Sequence, residues 1–478
     1  MSQGRRIAES STALLIGNFA NKISGFLIML TVSRLLGADR FGLYTTVFAY
    51  VSIFGLVTDL GLTTVVIRKL SQDETAGRRW LGNALVFRWL LAITSYLICV
   101  GSAIVLYGSN ERTWLIGVSA LSFLLSPLST HSAVFHSRLK LIGPTAVSLG
   151  SRLLLLLGVQ WLARTGGTLS GLVALEVVQG AGANIVIWLL SRGLIRPVWT
   201  LERKVVLDLL RQGVPLFLTS AFVSLYFRVD VFFLDHYWNP AEIGNYAAAY
   251  RLAEAMPLIA AAVTNSIFPV LCQQIHNGNA AAERKLFRIS LKMLLAVAGA
   301  IALVLWFYSQ GVIATLYGTR FHEAAPLLAI LGCNQILVFS NILMTTLLVA
   351  RGQNRTFMYL TFGMLIWNVA LNIAVIPRFG ALGAAWTTLA TELAGTIGCL
   401  VVTSTGRVFA KAAGRLLIPV GLCFGFFTFL APRAAGFAAA SLLLPAGIML
   451  VYGATVFLTF FDADERAEFR NLQRSTTR

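Results

Sequence analysis

Long apolar stretches separated by short polar loops dominate this 478-residue chain. Each is near the roughly 20 residues that a helix needs to cross a hydrocarbon core of about 30 Å. Runs such as 153–162 do not alternate between apolar and polar positions, which disfavours the strands of a transmembrane barrel. The pattern therefore predicts an all-α polytopic membrane protein with 14 transmembrane segments, near 12–33, 41–63, 80–107, 113–135, 143–163, 169–191, 213–235, 241–270, 289–309, 324–350, 356–377, 381–404, 415–431 and 434–461.

Composition supports a membrane protein, because 57% of the residues are hydrophobic, only 12% are charged and the mean hydropathy is +0.76. The net charge of +18 is unevenly placed. About 25 of the 38 basic residues fall on one side of the predicted helices and about 7 on the other, and the richer side is cytoplasmic by the positive-inside rule. We therefore expect both termini in the cytoplasm, and a basic surface that attracts anionic lipids rather than nucleic acid.

Cysteine and histidine show no pattern of metal binding. The five residues of each type are scattered without ligand spacing, so the sequence predicts no metal site and no disulfide framework. We also assign no catalytic residue. We expect the cysteines to be small packing residues.

An internal repeat divides the chain. Residues 36–50 match 238–252 at an offset of 202, which pairs Gly42 with Gly244 and Tyr44 with Tyr246. A second pair of segments places a glycine turn before the sixth and before the twelfth helix. Both repeats have the same membrane orientation, as in transporters built from two parallel six-helix bundles. The predicted parts are bundles at 1–191 and 213–404, a linker at 192–212, two further helices at 405–461 and a cytoplasmic tail at 462–478.

Two segments between the predicted spans look amphipathic. In 192–212 apolar residues such as Val205 and Leu209 fall largely on one face and charged residues on the other, which predicts a helix on the cytoplasmic surface. Residues 65–79 predict a smaller interfacial helix of the same kind.

The opening residues 18–62 resemble the polysaccharide transporter family, which includes flippases for O-antigen and exopolysaccharide repeat units. The pattern RQGVPLFLTS at 211–220 and the acidic-basic tail at 462–472 are also of the family's type, so the resemblance covers nearly the whole chain. It implies the fold of the multidrug/oligosaccharidyl-lipid/polysaccharide exporters, with helices 1, 2, 7 and 8 around a central cavity in the bacterial inner membrane. The family signature is met by Ser33, Arg34, Leu36, Gly37, Phe41, Gly42 and Tyr44.

Ten ionisable residues lie well inside the apolar segments, where a charge is usually accepted only if it faces a bundle interior or a watery cavity. They are Lys22, Asp59, Arg88, Arg152, Glu176, Arg228, Asp230, Arg251, Glu254 and Glu392.

From these we predict a binding site for an anionic, sugar-bearing lipid. Lys22, Arg228 and Arg251 are the expected ligands of a diphosphate, because arginine offers a planar fork and lysine a point charge. Asn18 shares a helix face with Lys22, and Tyr246 and Tyr250 share one with Glu254, one position round from Arg251; these three residues would contact sugars. Asp59, Asp230 and Glu254 are the carboxylates placed for coupling to H⁺ or Na⁺.

Structural roles compete with these assignments. Arg251 and Glu254, at i and i+3, can neutralise one another. Asp59 can cap a helix or pair with Arg68. Lys292, inside the ninth segment, is expected to snorkel to the surface.

Arg88 and Arg152 lie about two turns from the predicted cytoplasmic end of their segments. We expect each to snorkel or to pair with Glu176 or Glu392. Lys22 is the hardest cation to explain structurally, because it lies about ten residues from either end of its segment.

The predicted function is a flippase, not an enzyme, for polyprenyl-diphosphate-linked oligosaccharides. The chain has no GxxxxGK[ST] phosphate loop, so energy comes from an ion gradient or from the membrane potential, and the sequence does not choose between them. A polysaccharide polymerase and a chain-length regulator are expected partners. The alternatives are a lipid II flippase and a cation-coupled drug antiporter, against which the three cations argue. A membrane glycosyltransferase would need a larger outer loop than 310–323.

Overall fold

The structure is a computed structural model that describes residues 3–434 and 440–462; side chains are described between 17 and 462, apart from 18, 219, 427, 430–446 and 448. Within these ranges every regular element is a helix, as the apolar pattern predicts. The α-helices are α1 (Gln3–Val57), α2 (Leu62–Gln72), α3 (Glu74–Tyr107), α4 (Glu111–Ala120), α5 (Ser122–Leu125), α6 (Ser132–Ser137), α7 (Ile142–Thr165), α8 (Leu169–Ser191), α9 (Arg203–Tyr226), α10 (Val229–Tyr237), α11 (Pro240–Ala255), α12 (Pro257–His276), α13 (Ala280–Leu316), α14 (Ala324–Ala350), α15 (Asn354–Thr403), α16 (Gly406–Ala434) and α17 (Ala440–Thr455).

Eleven helical stretches in the described residues are long and apolar enough to span a bilayer. Two of them contain two predicted segments each. Gly37 (φ 73°) breaks α1 and Gly380 (φ 55°) breaks α15, and both use the left-handed region that glycine tolerates. The glycine turns expected before the sixth and twelfth segments are present, the former at Gly166 (φ 73°). The fourteenth segment, 434–461, lies partly outside the described residues.

Three predicted segments are interrupted rather than continuous. The fourth contains a 3₁₀ stretch over Ser126–His131, where Pro127 lacks the amide that an α-helix would use. The seventh is split at Arg228 between α9 and α10, and the eighth at Met256 between α11 and α12. Such breaks free backbone groups inside a predicted span, which a membrane protein tolerates where protein or water satisfies them.

Contacts divide the chain into two units, Met1–Gly244 and Asn245–Arg478. This division places α9 and α10 in the first unit and falls within α11. The predicted bundles at 1–191 and 213–404 follow helix order and repeat matching, and they stay a prediction.

The first unit is organised around α1, which packs along α7 and also contacts α3 and α4. The two repeat segments meet here. A Cβ added to Gly42 would collide with the backbone carbonyl of Pro240, and one added to Gly244 would collide with that of Ala38. Glycine is therefore required at both matched positions for the backbones to approach this closely.

A second cluster of the first unit joins α2, α3, α6 and the start of α9. Its core is aliphatic and nearly inaccessible. Val205 and Leu209 pack into it, as their shared face predicts. The core residues are Leu62, Val65, Val66, Leu70, Leu81, Ala84, Leu85, Ala133, Val134, Ile195, Val205 and Leu209.

The predicted helix over 192–212 is wrong in its first half. Residues 195–202 form no helix, and α9 begins only at Arg203. Asn83 holds the non-helical part: its amide donates to Thr200 Oγ1 (2.9 Å) and its oxygen accepts from the Glu202 amide (2.5 Å). The linker is therefore a non-helical strap fixed to α3, because side-chain hydrogen bonds replace those of a helix.

The predicted interfacial helix over 65–79 is also shorter than expected. α2 ends at Gln72, and Asp73 then caps α3 by accepting from the amides of Thr75 (2.8 Å) and Ala76 (3.2 Å). The hydrogen bond from the Thr75 hydroxyl (2.6 Å), followed by those from the two amides, lowers the pKa of the Asp73 carboxyl. An aspartate at this position ends one helix and starts the next, because its oxygen satisfies amides that have no helical partner.

The second unit is built on α13, α14 and α15, with α12 and α16 beside them. Its core is a continuous aliphatic and aromatic cluster that includes Leu291, Leu295, Phe339, Leu343 and Leu347. Cys399 and Cys423 are buried in the same cluster as free thiols, in agreement with the packing role expected for cysteine.

Candidate functional site

Lys22 lies in the part of α1 that precedes Gly37, and its side chain is exposed. It forms no ion pair with any side chain that the structure describes. The side chain of Asn18, one turn earlier, lies outside the described residues. A lysine at mid-segment without a carboxylate partner can receive an anion, because its ammonium carries three donors and a full charge.

Arg228 lies at the break between α9 and α10. Its Nη1 donates to Ser52 Oγ (2.5 Å) in the second half of α1, and Ser52 in turn donates to the carbonyl of Ala49 (2.7 Å). Asp230 is buried in the first turn of α10. The broken helix thus presents a guanidinium beside α1 and a carboxylate two residues later.

In the second unit, Tyr246 and Tyr250 stack with ring centroids 5.5 Å apart. Tyr246 is buried, and its hydroxyl lies 3.3 Å from Thr388 Oγ1 of α15. Tyr250 is half-buried. Of the two predicted sugar contacts, Tyr250 is the more accessible, whereas Tyr246 also ties α11 to α15.

Arg251 and Glu254 form the i, i+3 ion pair that the sequence offered as the structural alternative. Arg251 Nη1 lies 2.9 Å from Glu254 Oε2, and the two side chains are 41% and 42% exposed. A pair this exposed contributes little to stability, since solvent screens it and both side chains lose freedom. The two side chains are therefore only weakly held to one another.

Asp59 does not pair with Arg68. It accepts from the hydroxyl (2.5 Å) and the amide (3.4 Å) of Thr63 in the first turn of α2, and its Oδ1 lies 3.2 Å from Nη1 of Arg88. Arg68 instead donates to Gln212.

Arg88 neither snorkels nor pairs with Glu176 or Glu392. It is buried, and its guanidinium donates to the carbonyl of Thr58 (3.0 Å) and to the hydroxyls of Thr130 (2.6 Å) and Thr63 (3.1 Å). The turn between α1 and α2 folds back over it, because Leu60 (φ 45°) and Gly61 (φ 75°) adopt left-handed conformations.

Lys292 does not snorkel either. It is buried, and its Nζ lies 3.0 Å from Asp462, which also accepts from Arg415 (2.5 Å). The hydrogen bonds from Lys292 and then Arg415 lower the pKa of the Asp462 carboxyl. Asp462 thus holds the end of the last described segment against α13 and α16.

The two glutamates expected to pair with Arg88 or Arg152 each accept a hydrogen bond from a neutral side chain. Glu176 of α8 accepts a hydrogen bond from Tyr44. Glu392 of α15 accepts one from the amide of Asn341 (2.7 Å). Arg152, for which both were expected partners, lies instead beside Gly25 of α1.

A buried polar network in α15 was missed by the sequence analysis. Asn368 donates to Thr391 (3.2 Å), Asn372 donates to Asn368 (3.0 Å), and Thr387 donates to Asn372 (2.6 Å). The signal was present: two asparagines and two threonines, each pair four residues apart, in consecutive apolar segments. None of these four side chains is ionisable, so they are not among the ten charged candidates.

An ion pair near the end of the seventh segment was missed as well. Asp235 of α10 is almost fully buried, lies 2.8 Å from Arg112 and accepts from the hydroxyl of Tyr107 (2.9 Å). It joins α10 to the α3–α4 connection within the first unit. Asp235 is the last residue of the predicted segment, where the hydropathy pattern predicts a side chain exposed to solvent.

Solved transporters share this fold. The structure of the lipid II flippase MurJ in an inward closed conformation superposes with a TM-score of 0.75 at 16% identity, covering 93% of this chain and 97% of that one. An inward-facing multidrug resistance MATE family transporter of the MOP superfamily gives a TM-score of 0.62 at 14% identity, covering 82% and 95%. These likenesses confirm the expected exporter fold.

Sequence comparison is more specific. A protein of Haloferax volcanii named probable low-salt glycan biosynthesis flippase Agl15 is 24% identical over 402 residues, 82% of each chain. Another from the same organism, named probable flippase AglR, is 23% identical over 428 residues, covering 86% of this chain and 85% of that one. The profile of the family described as polysaccharide biosynthesis protein matches residues 31–326, more than half of the chain. The chain therefore belongs to the polysaccharide biosynthesis protein family.

Proposed function

We propose that this protein is a flippase that moves polyprenyl-diphosphate-linked oligosaccharide repeat units from the cytoplasmic to the outer leaflet of the bacterial inner membrane by alternating access. Lys22 carries the proposal, because a lone mid-segment ammonium needs an anion to offset the cost of burying a charge in the membrane. Membership of the family and the names of its relatives in Haloferax volcanii support the same substrate class.

In this proposal Lys22, Arg228 and Arg251 are the cations that bind the diphosphate. Arg251 leaves Glu254 to do so, which the exposure of that pair permits. Asn18 and Tyr250 contact the sugars. Asp230 and Glu254 carry the coupling ion, H⁺ or Na⁺. Asp59 was the third candidate for coupling, but its contact with Arg88 favours a structural role.

The cellular setting is also proposed. Both termini lie in the cytoplasm, and a polysaccharide polymerase receives the exported units with a chain-length regulator.

Replacing Lys22 tests the proposal. Lys22→Ala is expected to abolish surface glycan while the protein level in the membrane stays unchanged, and Lys22→Arg is expected to keep part of the activity because it restores the charge. The matched control is Arg164→Gln, which removes an exposed cation from the last turn of α7. A fully active Lys22→Ala would remove the diphosphate role of this residue.

Arg251 and Glu254 allow a second test. If they serve only to neutralise one another, changing both to Gln should restore whatever each single change loses, because no unpaired charge remains. If they bind substrate and a coupling ion, the double variant should fold but stay inactive. Rescue would leave Lys22 and Arg228 as the anion ligands.

A lipid II flippase is the second candidate, favoured by the similarity to the fold of MurJ. The two functions differ in phenotype: loss of repeat-unit export removes a surface glycan and leaves peptidoglycan intact, whereas loss of lipid II export causes lysis. The cations at 22 and 228 disfavour a carrier of cationic drugs.

A further inference from the structure

Arg152 of α7 lies beside the face of α1 that carries Lys22. A Cβ built on Gly25 would stand 3.1 Å from Arg152 Nη1, so any larger residue at position 25 would press on the guanidinium. Lys22 is three residues before Gly25, about 4.5 Å along the axis and on a neighbouring part of the same face. The missing side chain at position 25 therefore leaves room for the guanidinium close to the lysine.

Neutral contacts fix the register of the two helices. The methyl group of Thr145 packs against Gly17, and Asn21 donates to Ser148 Oγ (3.1 Å). These contacts repeat every three or four residues along both helices, and Arg152 beside Gly25 is the next step. Arg152 is thus placed by a regular helix interface rather than by a chance side-chain rotamer.

The ion pair expected for Arg152 is not formed. Its side chain is exposed and forms no ion pair with a carboxylate that the structure describes. Glu176, an expected partner, accepts from Tyr44 instead.

We propose that Arg152 and Lys22 together form a two-cation subsite that selects a lipid diphosphate over a lipid monophosphate. The inference rests on the proposed function and adds a residue and a specificity to it. Two cations on one helix interface repel each other unless an anion lies between them. A guanidinium fork and an ammonium together match the two phosphates of a diphosphate, whereas a monophosphate engages only one cation well.

Binding of undecaprenyl diphosphate and undecaprenyl monophosphate to the purified full-length protein in nanodiscs tests the subsite. Arg152→Gln is expected to weaken diphosphate binding about 10- to 100-fold, the usual effect of losing one hydrogen bond to a charged group, with little change for the monophosphate. Gly25→Leu keeps both charges but displaces the guanidinium, so it should reduce the same selectivity.

Arg164→Gln, on the same helix but at its far end, should behave as the wild type. Equal loss for both lipids in Arg152→Gln, or unchanged selectivity, would overturn the subsite. If Lys22→Gln loses binding while Arg152→Gln does not, only this inference fails. If the wild-type protein binds neither lipid, the proposed function itself fails.

Discussion

Replacing Asp59 by Asn is expected to destabilise the protein more than replacing Arg88 by Met, although the two side chains form one ion pair. The reason is their unequal burial. The Arg88 side chain is 3% exposed, whereas that of Asp59 is 35% exposed. Removing the carboxylate leaves a cation inside the first unit, while removing the cation leaves a carboxylate that still reaches solvent.

The size of each effect follows from the remaining contacts. Breaking a buried pair from one side costs about 3–5 kcal/mol, and the partial exposure of Asp59 places Asp59→Asn near the lower end, at about 3 kcal/mol. In Arg88→Met the carboxylate keeps its hydrogen bond from Thr63, and the main cost is the Thr58 carbonyl left without its donor, about 1.5 kcal/mol. The double variant should resemble Arg88→Met, which gives a coupling energy of about 3 kcal/mol.

Free energies of unfolding for the wild type, both single variants and the double variant can be measured by SDS titration in mixed micelles. Surface glycan per unit of membrane protein is measured in parallel. If Asp59 is structural, the double variant should regain both stability and export relative to Asp59→Asn. If Asp59 carries the coupling ion, the double variant should be stable but inactive.

Two results would refute the reasoning on stability. One is an Asp59→Asn variant within about 0.5 kcal/mol of the wild type, since a buried cation would then have lost its counter-charge at no cost. The other is a double variant whose destabilisation equals the sum of the two singles, which would mean that the pair is not coupled.

Three further predictions concern other parts of the chain. Hydrogen bonds from Lys292 and Arg415 lower the pKa of the Asp462 carboxyl in the folded protein. The ionised carboxyl therefore stabilises the folded state above the unfolded-state pKa of about 4, and this stabilisation is lost as pH falls through the lower folded-state pKa. The unfolding temperature of Asp462→Asn should therefore fall less than that of the wild type between pH 5 and 3, and equal falls would contradict this. Gly42→Ala should cost about 1–3 kcal/mol because its methyl group meets backbone, while Gly101→Ala, which meets open space, should be neutral or stabilising; a neutral Gly42→Ala would count against the close packing. A reporter that fluoresces only in the cytoplasm should glow when fused to either terminus, and a dark, correctly inserted C-terminal fusion would mean an odd number of spans.

The sequence by itself determined the class of fold and most segment positions. Hydropathy is a local property, so apolar runs of bilayer length are read directly along the chain. Glycine turns are equally local, and Gly166 and Gly380 stand where the pattern placed them. The family signature around Gly42 was sufficient to identify the family. The sequence predicted a helix at 195–202, where the structure has a non-helical strap. Amphipathic spacing cannot show that Asn83, more than 100 residues earlier, forms hydrogen bonds with Thr200 and Glu202.

Only the tertiary structure decided which partner each intramembrane charge has. Arg88 was expected to reach a helix end or a distant glutamate, but the turn after α1 brings Asp59 over it. Lys292 and Asp462 lie 170 residues apart in the chain and form one ion pair. A long side chain can reach several neighbouring helices, and the rotation and depth of those helices select among them. These depend on how whole helix faces pack, which the spacing of residues along one segment does not contain.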